Sequence, residues 1–168
     1  EGSAISNCYG FSMRLNGHFC YVINLTSSNR TFVYDHETDL WTEFQEAGTT
    51  NKWPIVSVTQ GNGIFYGQHA TNGWIYKIDP ATYQDDSTNF TVLWRSSRID
   101  GDTSERKFCS RLDIIGDVQS STTNVLLQYS DDDYQTISTA RIIDMANYRP
   151  FVTQLGSFFR RSWQLSYT

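Results

Sequence analysis

Proline, cysteine and charge are all scarce in this chain: three Pro, three Cys and 18% charged residues in 168 positions. Heptads are missing, as is any long stripe of 3.6-residue period. No apolar run approaches the roughly 20 residues that a membrane-spanning helix needs. These absences argue against helical bundles, coiled coils and a membrane partner, and predict a soluble chain. Cys8, Cys20 and Cys109 form no CxxC pair and have no zinc-ribbon spacing. They read as three reduced, mostly buried thiols, which behave as small hydrophobes and suit a reducing compartment. No GxSxG elbow, P-loop or dinucleotide fingerprint occurs, so no cofactor is expected. A net charge of −5 gives no electrostatic grip on nucleic acid, although DNA could pass nearby without being held. The opening, EGSAISNCYGFS, carries no initiator Met, basic n-region or apolar h-region. The chain is therefore expected to be a piece of a longer protein.

Aromatic residues are abundant, with five Trp, ten Tyr and ten Phe, and Thr, Ser and Asn are frequent. That composition suits pleated, half-buried surfaces joined by short turns and predicts an all-β protein. Two stretches resemble each other, GHFCYVINLTSSNRTFVYDHETDLWTEF (17–44) and GIFYGQHATNGWIYKIDPATYQ (63–84). Each has an aromatic strand, a polar turn, a second aromatic strand and an Asp-x-x-Thr corner, Asp35–Thr38 and Asp79–Thr82, 44 residues apart (79 − 35). A period in the forties with short strands is how propeller blades read in sequence. Asp and Thr suit the corners because their side chains bond back to nearby backbone N–H groups. Residues 1–97 are thus expected to form propeller-like β-meander repeats. Three sequons, at Asn24, Asn29 and Asn89, are read as chance in a chain this rich in Asn, Ser and Thr.

Beyond residue 97 the pattern changes to longer alternation. Phe108, Ser110, Leu112 and Ile114 fall on one face, and Lys107, Cys109, Arg111, Asp113 and Ile115 on the other. Further strands are predicted over 124–130, 136–143, 149–156 and 162–168, so residues 98–168 are expected to form an antiparallel β-sandwich-like region.

Within it stands YSDDDYQTIS, residues 129–138. Asp131, Asp132 and Asp133 read best as a hairpin tip, since Asp caps turns and tolerates strained dihedrals. Ser130, Asp132 and Thr136 are in register with the Asp-box turn S-x-D-x-G-x-T-W, whereas Tyr134 and Ile137 stand where Gly and Trp should. A partial ion site at the three aspartates is the alternative, although calcium needs six to eight oxygens. Adjacent carboxylates point different ways and do not make a facing catalytic pair by themselves. Asp100, Asp102 and Glu105 are the only nearby reinforcement. His18, His36 and His69 have no metal-ligand spacing and read as structural or solvent-exposed. Arg95, Arg98, Arg160 and Arg161 are either interface residues or ordinary surface.

The C-terminal segments SRIDGDTSERKFCSRLDIIGD, VLLQYSDDDYQTIS and ARIIDMANYRPFVTQLGSFFRRSWQLSYT resemble the end of the tail-hub proteins of short-tailed bacteriophages, also called packaged-DNA stabilisation or tail-accessory proteins. The shared features are the YSDD…T hairpin and a closing pair of strands with Arg149, Leu155, Gly156, Arg160, Arg161 and Leu165. The resemblance covers residues 94–168. It implies a non-catalytic hub or nozzle in the virion tail, assembled in the bacterial cytoplasm, that closes or extends the portal channel and retains DNA. The implied partners are further copies of itself in a ring (a hexamer), the portal adaptor and other tail proteins, and DNA sliding past without sequence-specific binding. Arg149, Arg160, Arg161 and Trp163 are the candidate subunit-interface residues. The rival is a carbohydrate-binding β module, with Trp41, Trp53, Trp74 and Tyr76 stacking on sugars.

Overall fold

The computed structural model describes residues 7–168, about half of them (51%) in strands and none in an α-helix. The chain divides into two compact units, Glu1–Phe90 and Thr91–Thr168.

The first unit opens with a four-stranded antiparallel meander of β1 (Cys8–Leu15), β2 (His18–Leu25), β3 (Arg30–Asp35) and β4 (Leu40–Phe44). A three-stranded meander follows, β5 (Ile55–Gly61), β6 (Ile64–His69) and β7 (Ile75–Ile78). The internal repeat is visible in its turns. β1–β2 and β5–β6 are both joined by Asn-Gly with positive φ throughout, Asn16 51° and Gly17 89°, Asn62 51° and Gly63 79°. That is the two-residue turn whose twist matches paired strands. At the corners, Asp35 Oδ1 accepts the Glu37 N–H (3.0 Å) and Asp79 Oδ1 accepts the Ala81 N–H (3.1 Å). The copies diverge after the second corner. In place of a fourth strand the chain makes a small hairpin, β8 (Gln84–Asp85) and β9 (Thr88–Asn89), through Asp86 and Ser87, both at positive φ.

Alternation along β1–β3 turns Met13, Cys20, Val22 and Val33 inward. Phe11, Phe44 and Trp53 pack on them, as do Val58, Phe65 and Ile78 of the second meander. Burying each such aliphatic side chain stabilises the fold by about 1.5–3 kcal/mol. A polar seam also joins the meanders. Asn24, wholly buried, donates from Nδ2 to the Ile55 carbonyl (3.0 Å) and accepts from Thr31 Oγ1 (2.5 Å). Thr31 Oγ1 in turn accepts the Trp53 N–H (3.0 Å). The sequon asparagine Asn24 is therefore core, while Asn29 and Asn89 are exposed. All three cysteines are free thiols, and the expectation of burial fails at Cys8, which is exposed at the start of β1.

The second unit carries a four-stranded antiparallel sheet in the order β10 (Val92–Arg95), β17 (Ser162–Tyr167), β13 (Asn124–Ser130), β14 (Arg141–Asp144). Two short pairs accompany it: β11 (Lys107–Phe108) with β16 (Ser157–Phe158), and β12 (Arg111–Asp113) with β15 (Phe151–Thr153). Among the described residues no sheet closes into a barrel. β10 pairs with the last strand of the chain, so the break between units falls after Phe90, ahead of the expected residue 97. Leu127, Ile143, Val152 and Leu155 form the buried core, with Leu112, Tyr129, Met145, Trp163 and Leu165 around it.

Two expected strands are shorter than the alternation suggests. Regular pairing over 136–143 begins only at Arg141, and over 149–156 it is confined to Phe151–Thr153. The face assignment over 107–115 also shifts. The chain leaves strand geometry between β11 and β12, where the Leu155 N–H bonds the Cys109 carbonyl (3.2 Å) and the Gln154 N–H bonds that of Ser110 (3.1 Å). Cys109, Leu112 and Ile114 consequently pack on the core, and Phe108 is exposed.

Candidate functional site

The three aspartates follow directly on β13, and each has a different partner. Asp132 organises the turn. Its Oδ1 accepts from Ser130 Oγ (2.7 Å) and the Thr136 N–H (2.8 Å), and its Oδ2 from Thr136 Oγ1 (2.6 Å). The Thr136 hydroxyl, helped by the Thr136 N–H and Ser130, holds the Asp132 carboxyl down at about 2. Ser130 Oγ also accepts the Tyr134 N–H (2.8 Å).

Ser130, Asp132 and Thr136, the three residues in register with the Asp-box turn, thus bond one another, and Tyr134, where that turn has Gly, has a physical account. Asp133 and Tyr134 take φ of 59° and 67°, a conformation that suits Gly and costs other residues roughly 1–2 kcal/mol. Tyr134 is held there by its side chain. The hydroxyl donates toward the carbonyls of Ser96 and Trp163 (both 2.9 Å), and the ring lies 5.1 Å beneath the Arg95 guanidinium. The hairpin tip is thereby laced to β10 and β17. Residues 131–140 lie outside the regular strands, although the Ser138 N–H still bonds the Tyr129 carbonyl (2.9 Å).

Asp131 makes the strongest contact. It takes Arg161 in a two-point grip, Nε to Oδ1 at 2.7 Å and Nη2 to Oδ2 at 2.8 Å. Arg161 Nη1 donates to the Leu155 carbonyl (2.5 Å). The guanidinium lies 3.8 Å from the Tyr129 ring centroid, 4.2 Å from that of Phe158 and 5.3 Å from that of Trp163. The Arg161 side chain is only 1% exposed, whereas that of Asp131 is 40% exposed. Asp133 pairs with Arg160 (3.1 Å), both half exposed.

Of the candidate interface residues, Arg149 and Arg160 are exposed. Arg149 lies 5.4 Å from the ring of exposed Tyr148. Arg161 is an interior residue, because its charge, donors and stacking surface are all taken up within the unit. Trp163 is half buried, edge-on to Tyr129 at 5.8 Å. Sequence reading left Arg161 open between interface and surface, and it is neither. The signal was the aspartate 30 residues upstream, a separation that local pattern does not join.

Beside the hairpin lies an open groove of about 790 Å³ whose lining includes Arg98, Asp100, Asp102, Asp131 and Arg160. Its carboxylates do not converge. Asp100 caps its own loop by accepting the Asp102 N–H (3.1 Å) and lies 3.4 Å from Arg98. Among the described residues no three His, Cys, Asp or Glu side chains come together as metal ligands would. His18 Nδ1 bonds Asp35 (2.8 Å), and His69 Nδ1 accepts the N–H groups of Thr71 and Asn72 (both 3.2 Å). His36 lines a shallow cleft with Phe19, Tyr21 and Tyr34.

Of the aromatic residues expected to meet sugars, Trp53 is packed in the core of the first unit, edge-on to Phe44 at 5.6 Å. Tyr76 is half buried, and Trp41 and Trp74 are exposed. Another exposed surface lies on the four-stranded sheet. Register places Leu93, Ser166, Leu126 and Ile142 in one row across all four strands, and all three aliphatic members are exposed. Next to them runs a polar ladder, Arg95 Nε to Gln164 Oε1 (2.7 Å) and Gln164 Nε2 to Gln128 Oε1 (2.9 Å). No known protein-family model matches the chain, and no curated protein matches it.

Proposed function

We propose that the chain is a non-catalytic structural part of a short bacteriophage tail, a hub or nozzle that extends or closes the portal channel and helps retain packaged DNA. The observation that carries this reading is what the motif residues do. Among the residues on which the resemblance rests, Ser130, Asp132 and Thr136 are spent on closing the turn, and Asp131 and Arg161 on tying it to the closing strands. The Asp132 carboxyl, bonded through both oxygens to Ser130 and Thr136 and held at about 2, serves poorly as a general acid, which supports an architectural reading of the turn.

Partners in this reading are further copies in a ring, hexameric by resemblance, together with the portal adaptor and other tail proteins. DNA passes without sequence-specific contact, in a virion assembled in the bacterial cytoplasm. The exposed row Leu93, Leu126 and Ile142, with Arg149 and Arg160 elsewhere on the unit, offers the aliphatic and arginine chemistry of subunit contacts. The two meanders of the first unit are read as successive propeller-like blades. Their shared Asn-Gly turns, Asp corners and common apolar core support that view. The four-stranded sheet, with its short paired strands, is read as the sandwich-like C-terminal region.

Immunogold labelling of virions purified from the source, with antibody raised against the chain, tests the proposal. Label confined to the tail vertex is the expected result. Unlabelled particles, with the antigen in the medium instead, would overturn it.

A further inference from the structure

The loop between β6 and β7 is tied down more thoroughly than a short connection requires. The His69 N–H bonds the Trp74 carbonyl (3.0 Å) and the Ala70 N–H bonds that of Pro54 (2.8 Å). Inside the loop, His69 Nδ1 accepts from the N–H groups of Thr71 and Asn72 (both 3.2 Å). Asn72 Oδ1 accepts the Trp74 N–H (2.9 Å), and Asn72 Nδ2 donates to the Tyr76 hydroxyl (3.0 Å). That hydroxyl donates in turn to Asp86 Oδ2 (3.4 Å).

What this scaffold holds is an indole in solvent. Trp74 is 61% exposed, its ring 6.2 Å from that of Tyr76, which lies 5.7 Å from His69. Packing alone would draw an indole toward the core, since exposure forfeits the burial of a large apolar side chain. Here the loop hydrogen bonds fix the Trp74 backbone, and the ring lies beside the Tyr76 phenol, whose hydroxyl bonds the Asn72 amide and the Asp86 carboxylate.

We propose that Trp74, Asn72, Tyr76 and Asp86 form a binding site for a neutral, pyranose-based glycan. The C–H face of a pyranose ring is apolar and flat enough to lie on an indole. The hydroxyls at its rim need a donor, which the second N–H of Asn72 Nδ2 supplies, and acceptors, which the remaining lone pair of the Tyr76 hydroxyl and the Asp86 carboxylate supply. Because the loop is already bonded in place, little ordering cost is left for the ligand to meet.

Charge selects among stacking ligands. Residues 1–90 hold four Lys and Arg against nine Asp and Glu, whereas residues 91–168 hold nine of each. A uronate, a sulfated sugar or a phosphodiester chain would approach the more acidic unit. A neutral glycan meets no such field. The site is independent of the tail reading and would stand without it.

Isothermal titration of the whole chain with cellohexaose and with chitohexaose tests the proposal. At least one is expected to bind with Kd in the range of about 10 µM to 1 mM. W74A is expected to weaken that binding about tenfold or more, and D86N several-fold, as the stacking and acceptor contacts are lost. W41A removes an exposed tryptophan elsewhere in the same unit and is expected to leave binding unchanged. Near-UV circular dichroism of each variant separates a lost contact from a lost fold. The absence of heat with either sugar at millimolar concentration, binding that W74A leaves intact, or tighter Trp74-dependent binding of an oligo-dT strand would each overturn it.

Discussion

Asp131 looks like a dispensable surface carboxylate, and the geometry says otherwise. Its side chain is 40% exposed, but its partner Arg161 is 1% exposed and caged by Tyr129, Phe158 and Trp163. Asp131→Ala would leave a buried guanidinium bonded only to the Leu155 carbonyl. To reach water it would have to leave three rings. Breaking such a pair by removing one partner costs about 3–5 kcal/mol, and because Asp131 keeps some contact with water about 3 kcal/mol is the better figure here. The neighbouring Asp133 pairs with Arg160 where both are about half exposed, so Asp133→Ala should cost less than about 1 kcal/mol. The two substitutions are chemically identical and two residues apart, which makes the contrast a clean one. A further variant sharpens it. Methionine fits an aromatic cage without carrying charge, so the double variant D131A/R161M should be more stable than D131A alone. Urea unfolding followed by circular dichroism, fitted for the transition of residues 91–168, measures the parent chain, D131A, D133A, R161M and the double variant. If D131A and D133A fell within about 0.5 kcal/mol of each other, or if the double variant lost the sum of its parts, the buried-charge argument would be wrong.

Other substitutions test the remaining contacts. Tyr134→Phe should destabilise the second unit by about 1–2 kcal/mol, because two carbonyls lose their phenolic donor; thermal unfolding reads this. Tyr134→Gly relieves the positive φ yet also removes the hydroxyl and the ring beneath Arg95, so it too should lower Tm. Asn24→Ala should cost about 1–3 kcal/mol by orphaning the Ile55 carbonyl and the Thr31 hydroxyl in the first-unit core; urea unfolding of residues 1–90 would show it. The pH dependence of Asp132 follows from its lowered carboxyl. The unfolded chain takes up a proton near the ordinary 3.8 and the folded one only near about 2. This contribution is therefore complete above about pH 4 and is lost as pH falls through about 2. Thr136→Ala should move the Asp132 titration, followed by carboxyl-carbon NMR, back toward 3.8.

Local chemistry made much of this architecture readable. Asn124–Ser130 emerges as a strand over its whole expected length, and the Asp35 and Asp79 corners were visible because an Asx turn involves only neighbours. The Asn-Gly turns at 16–17 and 62–63 are an equally local signal that extends the repeat back to β1 and β5. Less was legible where distant groups compete with pattern. The alternation of TISTARII points to a strand from 136, but Asp132 and Tyr134 hold the tip in a turn anchored to Ser96 and Trp163, and regular pairing begins only at Arg141. Phe108 continues an alternating face on paper, yet the chain leaves strand geometry at Cys109 and Ser110 and the face is lost. Arg161 is the clearest example. Arginine is seldom buried, and although Phe158 and Trp163 are near neighbours in sequence, the Asp131 carboxylate and the Tyr129 ring that complete the cage lie 30 residues or more upstream.

Polar and apolar residues have exchanged their usual places at several points, and the two halves of that exchange have different causes. Asn24, Thr31, Ser130, Arg161, Ser162 and Gln164 are buried, yet among the described residues no buried side-chain nitrogen or oxygen lacks a partner. Each such partner is specific. A one-residue slip of β13 against β17 would break the Gln128–Gln164 bond and move Asp131 away from Arg161 together, a penalty that aliphatic pairs alone would impose less sharply. Interior polarity thus pins register in a unit whose accessory strands are only two or three residues long. The exposed apolar residues follow another logic. Leu93, Leu126 and Ile142 stand exposed on the sheet, and the Trp74 indole, 61% exposed, meets the Tyr76 ring while its loop is bonded to hold it outward. On the readings proposed above, both exposures face surfaces outside the chain. The apolar row suits another protein surface, and the single ring framed by hydroxyl, amide and carboxylate groups suits a sugar.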